Sequence, residues 1–169
     1  YDGGKLIGQM LRDSGHKHAL GVNPWGAPNA WEWHMGLVDG FTNKKKNWTW
    51  PIEGDCDSQT GAYAVQGGIG PNGEAVTARV SCSTFVDSAL WENFGPPLEK
   101  ALTREPEIDC LMVIDVDPTL TKGILDLVDK FDRKITYTPA QLTTKAMSEM
   151  RAGRMSYGLD DQIYLQHYV

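Results

Sequence analysis

The apolar stretch IDCLMVIDV, residues 108–116, limits most strongly what this chain can fold into. Such a near-continuous apolar run suits a central strand that is covered on both faces. The segment PTLTKGILDLVDKF follows it with the spacing of a helix, and PAQLTTKAMSEMRAG predicts another helix with Pro139 in its first turn. This half of the chain therefore predicts a fold that combines strands and helices.

Three patterns stand out before residue 41. Leu6, Ile7, Met10 and Leu11 recur at helical spacing before Ser14-Gly15, which predicts a helix over residues 4–13. The segment GVNPWGAPNAWEW mixes Pro, Gly and Asn with aromatic residues and is typical of an ordered loop. WHMGLVDG predicts a short buried strand that ends in a turn at Asp39-Gly40.

The middle of the chain predicts a hairpin followed by a helix. Two strand patterns in GAYAVQGGIGPNGEAVTARVSC flank the turn Pro71-Asn72-Gly73, where the glycine provides a positive φ. An apolar stripe predicts a helix over residues 83–93, which Gly95-Pro96-Pro97 is expected to terminate. The last residues, DQIYLQHYV, alternate in polarity and predict a closing strand.

Size and charge restrict the class of protein. The chain has 169 residues and no repeat or linker, so we expect a single globular α+β domain over residues 1–169. Its net charge of -6 argues against nucleic acid or anionic membranes as main partners. No apolar stretch reaches the roughly eighteen residues of a membrane span. No pattern indicates the oligomeric state.

Cys82 is the candidate nucleophile. It comes directly before the predicted helix, so its sulfur would lie near unpaired backbone N–H groups and the positive end of the helix dipole. Both favour the thiolate, and the same N–H groups could stabilise an oxyanion. A cysteine between a strand and a helix is also common as a purely structural residue, so the position alone leaves both roles open.

A thiolate enzyme also needs a base, and His34 is the candidate because it opens the predicted strand HMGLVDG. A lone histidine among Trp31, Trp33 and Met35 is ordinarily a packed residue, so His34 gains a catalytic role only when it is considered together with Cys82. His16 and His18 form an i, i+2 pair that could bind a metal, but no carboxylate or cysteine pattern completes such a site. We therefore expect no metal.

The order of these motifs resembles the papain-like hydrolases of the NlpC superfamily. It is most similar to the circularly permuted branch, with lecithin retinol acyltransferase-like and YiiX-like proteins, in which the histidine strand precedes the cysteine helix. The matching residues are His34-Met35-Gly36-Leu37 and Cys82-Ser83-Thr84-Phe85-Val86. The segment ITYTPAQL, residues 135–142, resembles the Thr-Pro-x-x-Leu segment that often follows.

The resemblance implies a fold and a reaction. The fold would be a permuted papain-like antiparallel sheet packed with helices. Cys82 would attack an amide or ester carbonyl after His34 takes its proton, and water would hydrolyse the acyl-enzyme without any cofactor. The third catalytic position falls on Gln66, with Asp55 or Asp57 as alternatives.

Such families act on peptides, peptidoglycan stem peptides and lipid esters. The acidic composition favours a peptide or peptidoglycan-like substrate here, and a secreted or periplasmic location would fit that substrate. In an oxidising compartment, Cys56 and Cys110 are the expected disulfide pair, which would leave Cys82 as a thiol.

Two other classes of function remain open from the sequence. Trp91-Glu92 could belong to an NAD glycohydrolase, where the indole stacks on nicotinamide and the carboxylate stabilises an oxocarbenium ion. A non-catalytic domain could instead bind carbohydrate or protein through loop aromatics, namely Trp25, Trp31, Trp48 and Trp50.

Overall fold

The structure, a computed structural model, describes residues 1–22, 28–44, 63–81, 91–113, 118–139 and 143–155. In these ranges the chain forms five helices and five strands. In chain order they are α1 (Asp2–Asp13), β1 (His18–Val22), α2 (Pro28–Thr42), β2 (Tyr63–Ile69), β3 (Ala75–Ser81), α3 (Trp91–Arg104), β4 (Cys110–Val113), α4 (Pro118–Val128), β5 (Thr136–Pro139) and α5 (Thr144–Arg151).

The five strands form one mixed sheet in the order β2-β3-β1-β4-β5. The pairs β1–β3, β1–β4 and β4–β5 are parallel, and only β2–β3 is antiparallel. The mixed α and β composition was predicted, but the expectation of an antiparallel sheet was wrong for the described strands. Helices α3 and α4 return the chain to the same edge of the sheet before the next strand, which makes those strands parallel.

Helices cover both faces of the sheet. On one face α1 and α2 pack against alternate residues of β1, β3 and β4, and the cluster includes Ile7, Leu11, Leu37, Val38, Phe41, Ala19, Val76, Ala78, Val80, Cys110 and Met112. On the other face α3, α4 and α5 pack against the intervening residues, among them Leu20, Val22, Leu111, Val113 and Tyr137. The sequence stretch Cys110–Val113 is apolar throughout because β4 is covered on both sides.

Helices α1 and α2 approach each other closely because glycines meet backbone at their crossing. Gly4 and Gly8 lie one turn apart on α1, and Gly36 and Gly40 lie one turn apart on α2. A Cβ at any of these four positions would overlap a backbone carbonyl of the facing helix or, at Gly36, of its N-cap residue Tyr1. The absence of side chains at these positions therefore determines the distance between the helices.

Several sequence predictions are confirmed. The first helix covers Asp2–Asp13, the hairpin of β2 and β3 turns at residues 71–73, and Gly73 has a φ of 84°. Strand β4 and helix α4 form in the segments predicted for them.

The strand predicted in WHMGLVDG is wrong, because these residues belong to helix α2. Leu37, Val38 and Phe41 face the sheet, while Gly36 and Gly40 face α1. A helix covered on two sides carries few polar residues, so its sequence resembles that of a buried strand. The loop predicted in GVNPWGAPNAWEW is also wrong in part, since its ends belong to β1 and α2 and residues 23–27 lie outside the described ranges.

The stop predicted at Gly95-Pro96-Pro97 is wrong, because α3 continues through both prolines to Arg104. Proline in a helix interior removes a hydrogen bond and crowds the preceding turn. Burial of Phe94, Leu98 and Leu102 on one side of the helix offsets that cost. Residues 82–90, which contain most of the helix predicted over 83–93, lie outside the described ranges.

Pro139 does not open a helix as predicted, since it is the last residue of β5. Helix α5 begins five residues later, at Thr144, where Thr143 is the N-cap and its hydroxyl accepts a hydrogen bond from the Ala146 N–H at 3.0 Å. The cap determines this start because it satisfies an N–H that the first turn leaves unpaired. The closing strand predicted in DQIYLQHYV lies outside the described residues.

Among the described residues, no helix has the length and apolarity needed to cross a membrane.

Candidate functional site

The parallel strands β3, β1, β4 and β5 end at one edge of the sheet, which we call the carboxyl edge. Their last residues are Ser81, Val22, Val113 and Pro139. From β1 the chain continues to α2 on one face of the sheet, and from β4 it continues to α4 on the other. A crevice forms outside adjacent strands whose connections diverge in this way, and in open sheets of this type it is where ligands bind.

His34 lies next to this edge but is fully buried. Its ring packs against the backbone of Gly21, where a Cβ would lie 2.7 Å from the His34 Cδ2. Burial lowers the pKa of His34 to about 3, and a hydrogen bond to the backbone of Val22 opposes that shift. The imidazole is therefore neutral at physiological pH and packs α2 against the end of β1.

Cys82 lies outside the described residues, but the strand before it is described. It is the next residue after Ser81, which ends β3, and Val80 of β3 pairs with Gly21 of β1. The His34 ring is thus packed on the strand position opposite Val80, two residues before Cys82 in the chain.

The structure does not bring Gln66 to His34. The Gln66 Nε2 donates to the Thr42 Oγ1 at 2.6 Å and to the Lys44 carbonyl at 3.1 Å. Thr42 is eight residues from His34 on α2, or roughly 12 Å along the helix axis. Gln66 therefore attaches β2 to the carboxyl end of α2, and the alternative orienting residues Asp55 and Asp57 lie outside the described ranges.

The aromatic residues that the sequence suggested for binding are packed or not described. The Trp91 ring lies 6.2 Å from that of Phe94, and a Cβ at Gly123 of α4 would overlap it. Trp91 thus packs α3 against α4, which leaves the nicotinamide-stacking role without structural support. Trp25, Trp48 and Trp50, and the side chain of Trp31, lie outside the described residues.

A second group of polar side chains lies at the opposite, amino edge of the sheet, where β1 and β4 begin. The ligand atoms of His16, Asp109 and Cys110 all lie within 4.8 Å of one another. The Asp109 carboxylate accepts the N–H groups of Lys17 at 2.8 Å and His18 at 3.1 Å. The sequence did not reveal this group, because His16 is more than ninety residues from the other two.

Comparison of the chain with protein-family models, with curated proteins and with solved structures finds no match. The described part of the chain belongs to the class of α/β folds with a mixed sheet of mostly parallel strands and helices on both faces.

Proposed function

We propose that the protein binds a small molecule at the carboxyl edge of its parallel strands, in the crevice between β1 and β4. The observation that carries this proposal is the divergence of the chain at these adjacent strands, toward α2 on one face and α4 on the other. Ligands of open sheets with parallel strands bind at this topological switch point because neither connection fills the crevice.

The helix ends at this edge indicate the chemistry of the ligand. Helices α2 and α4 both begin here, at Pro28 and Pro118. The first N–H groups of a helix have no partner within the helix, and its dipole places partial positive charge there. A small molecule with a phosphate or carboxylate group fits two such ends.

Hydrogen exchange with a ligand panel tests this proposal on the full chain. The panel contains nucleotides, sugar phosphates and amino acids. We expect one class to slow exchange in peptides that cover residues 20–34 and 111–122, with no change in the hairpin turn. Saturable binding that protects only residues 14–18 and 106–110, at the amino edge, contradicts the proposal, as does the failure of every panel member to bind.

A matched pair of variants sharpens the same test. Thr119 is exposed in the first turn of α4, whereas Thr103 is exposed in the last turn of α3. Thr119→Glu adds a negative charge beside the crevice and should weaken binding about fivefold, which corresponds to about 1 kcal/mol. Thr103→Glu adds the same charge at the amino edge and should leave the affinity unchanged. Equal effects of the two variants would contradict binding at the crevice.

A thiol hydrolase of papain-like type is the second candidate, and the register of β3 favours it. Cys82 comes directly after Ser81, the last residue of β3, in the sequence, and Val80 of β3 pairs with the glycine on which His34 packs. Cys82 also continues the sequence alternation of Val76, Ala78 and Val80, which face α2. In this mechanism Cys82 gives its proton to His34 and attacks an amide or ester carbonyl of a peptide or peptidoglycan-like substrate.

Two observations concern the partners of Cys82 in this mechanism. A base with a pKa of about 3 accepts a proton less readily than one near neutrality, so full burial makes His34 a weak base. Gln66 is bonded to Thr42, which leaves the third position of the mechanism to a residue outside the described ranges. Cys82 is therefore the residue whose substitution tests this mechanism.

Substitution of single cysteines by alanine distinguishes the hydrolase from a binding protein. Cys82→Ala should abolish hydrolysis of peptides, peptidoglycan fragments or esters, whereas Cys110→Ala, at the amino edge, should retain it. Turnover that survives in Cys82→Ala would exclude the mechanism without affecting the crevice proposal, since ligand binding there does not require a thiol.

A further inference from the structure

We infer that the amino edge of the sheet holds a zinc site formed by His16, Asp109 and Cys110, with a fourth position open to water. The inference is independent of the proposed function, because the site lies at the other end of β1. Strand β1 has five residues, so the two edges are roughly 13 Å apart.

The donor atoms select the metal. One imidazole nitrogen, one carboxylate oxygen and one sulfur are ligands that Zn²⁺ accepts together. Mg²⁺ and Ca²⁺ require mostly oxygen ligands, and the group offers a single carboxylate. Three protein ligands with one open position are a common arrangement around zinc.

The distance between two of the donors is also compatible with a shared metal ion. The His16 Nδ1 lies 3.6 Å from the Asp109 Oδ1, longer than an N–H···O hydrogen bond of about 3.0 Å. Two ligands at about 2.0 Å from a tetrahedral zinc ion lie about 3.3 Å apart, close to the observed distance. The Cys110 Sγ is 3.8 Å from the His18 carbonyl, a weak contact that coordination could replace.

The backbone holds all three ligands in place without a metal. His16 is fixed because its N–H donates to the Leu11 carbonyl at 3.2 Å where α1 ends. Asp109 is fixed by the N–H groups that its carboxylate accepts, and hydrogen bonds of this kind orient metal-binding carboxylates in proteins. Cys110 is fixed by strand pairing with Ala19 and Thr136.

The three ligands differ in their exposure to solvent. The side chains of His16 and Asp109 are 17% and 31% exposed, so an ion can reach them from solvent. Cys110 is fully buried beneath them. Zinc would replace the thiol proton, which leaves as H⁺, and would thereby join the end of α1 to the start of β4.

Metal titration of the chelator-treated full chain tests the site. We expect one Zn²⁺ per chain, and one Co²⁺ per chain with tetrahedral absorption bands and a thiolate-to-cobalt charge-transfer band. Cys110→Ser should remove the charge-transfer band, and His16→Ala should weaken Zn²⁺ binding at least about tenfold. Asp109→Asn should also weaken binding.

Matched controls are available on the same chain. His18→Gln changes the other histidine of the His16/His18 pair, and Cys82→Ser changes another thiol; both should keep the affinity and the cobalt spectrum. Circular dichroism confirms folding of each variant.

If Cys110→Ser fails to fold, urea unfolding of His16→Ala tests the site instead. Zinc should raise the urea midpoint of the wild type but not that of His16→Ala. A charge-transfer band that survives in folded Cys110→Ser, loss of binding in His18→Gln, or no binding by the wild type would overturn the inference.

Discussion

At the scale of single residues, the His34 ring packs directly against Gly21 near the carboxyl edge. A Cβ at Gly21 would lie 2.7 Å from the His34 Cδ2 and 3.0 Å from the Leu37 Cδ2. Glycine is therefore required here by space, and the imidazole occupies the volume that any other side chain would need.

Gly21→Ala should lower the free energy of unfolding by about 1 to 3 kcal/mol, because overpacking forces neighbouring side chains and backbone to shift. Gly67→Ala is the matched control, since Gly67 also lies in a strand and the nearest atom to a Cβ there is 4.0 Å away. Urea unfolding measures both. Equal destabilisation by the two changes would show that space around Gly21 is not the cause.

The burial of His34 also predicts how stability depends on pH. The pKa of His34 is about 3 in the folded protein and about 6.5 in the unfolded chain, so below pH 6.5 the unfolded state binds more protons. Stability from this residue is complete above pH 6.5 and is lost progressively as the pH falls toward 3. The expected loss between pH 7.5 and pH 5 is about 2 kcal/mol.

His34→Gln provides the comparison, because glutamine does not titrate. The variant should be less stable at pH 7.5 but should lack this loss between pH 7.5 and pH 5, as measured by urea unfolding at each pH. An identical pH dependence in the variant would mean that His34 is not the residue responsible. The carboxylates whose pKa values are lowered, Asp109, Asp126 and Glu149, titrate below this range.

At the scale of secondary structure elements, the crossing of α1 and α2 depends on four glycines. Glycine is unfavourable in a helix interior by about 1 kcal/mol relative to alanine, so Gly8→Ala would stabilise an isolated helix. In the folded protein, however, a Cβ at Gly8 would overlap the Leu37 carbonyl and lie 2.7 Å from the Phe41 nitrogen.

Gly8→Ala should therefore destabilise the protein by about 2 kcal/mol or more, since backbone cannot move aside as a side chain can. Lys5→Ala, which shortens an exposed side chain of the same helix, should change stability by less than about 0.5 kcal/mol. Thermal and urea unfolding compare the two variants. A neutral Gly8→Ala would mean that α1 and α2 pack less closely than the structure describes.

At the scale of the whole molecule, Cys110 reports on unfolding of the sheet. It is a free thiol, fully buried in β4, between β1 and β5. Burial also raises the pKa of the Cys110 thiol, so the folded protein holds it protonated. Residues in interior strands are exposed mainly by global opening.

In a variant with Cys56→Ser and Cys82→Ser, iodoacetamide should label Cys110 at least about a thousandfold more slowly in the native protein than in urea-unfolded protein. The rate should rise with urea in step with global unfolding. A chelator is present throughout to keep the thiol free of metal. Fast labelling that does not respond to urea would show that β4 opens locally.

The elements that could be predicted from sequence are those whose pattern depends on local chemistry. The hairpin turn was predicted because Gly73 is needed at a positive φ, and α1 because its apolar residues follow one stripe. Strand β4 was predicted because burial on both faces requires apolar residues throughout. Each of these signals lies within about ten residues of sequence.

Only the tertiary structure decided the rest, because the cause lies in contacts between distant segments. His34 belongs to a helix because α2 is covered by both α1 and the sheet, which removes the polar face that would mark a helix. The zinc ligands meet because parallel pairing of β1 and β4 brings the start of β4 beside the end of α1. Strand order determines which side chains lie at the same edge of the sheet, and the spacing of residues in the sequence does not indicate strand order.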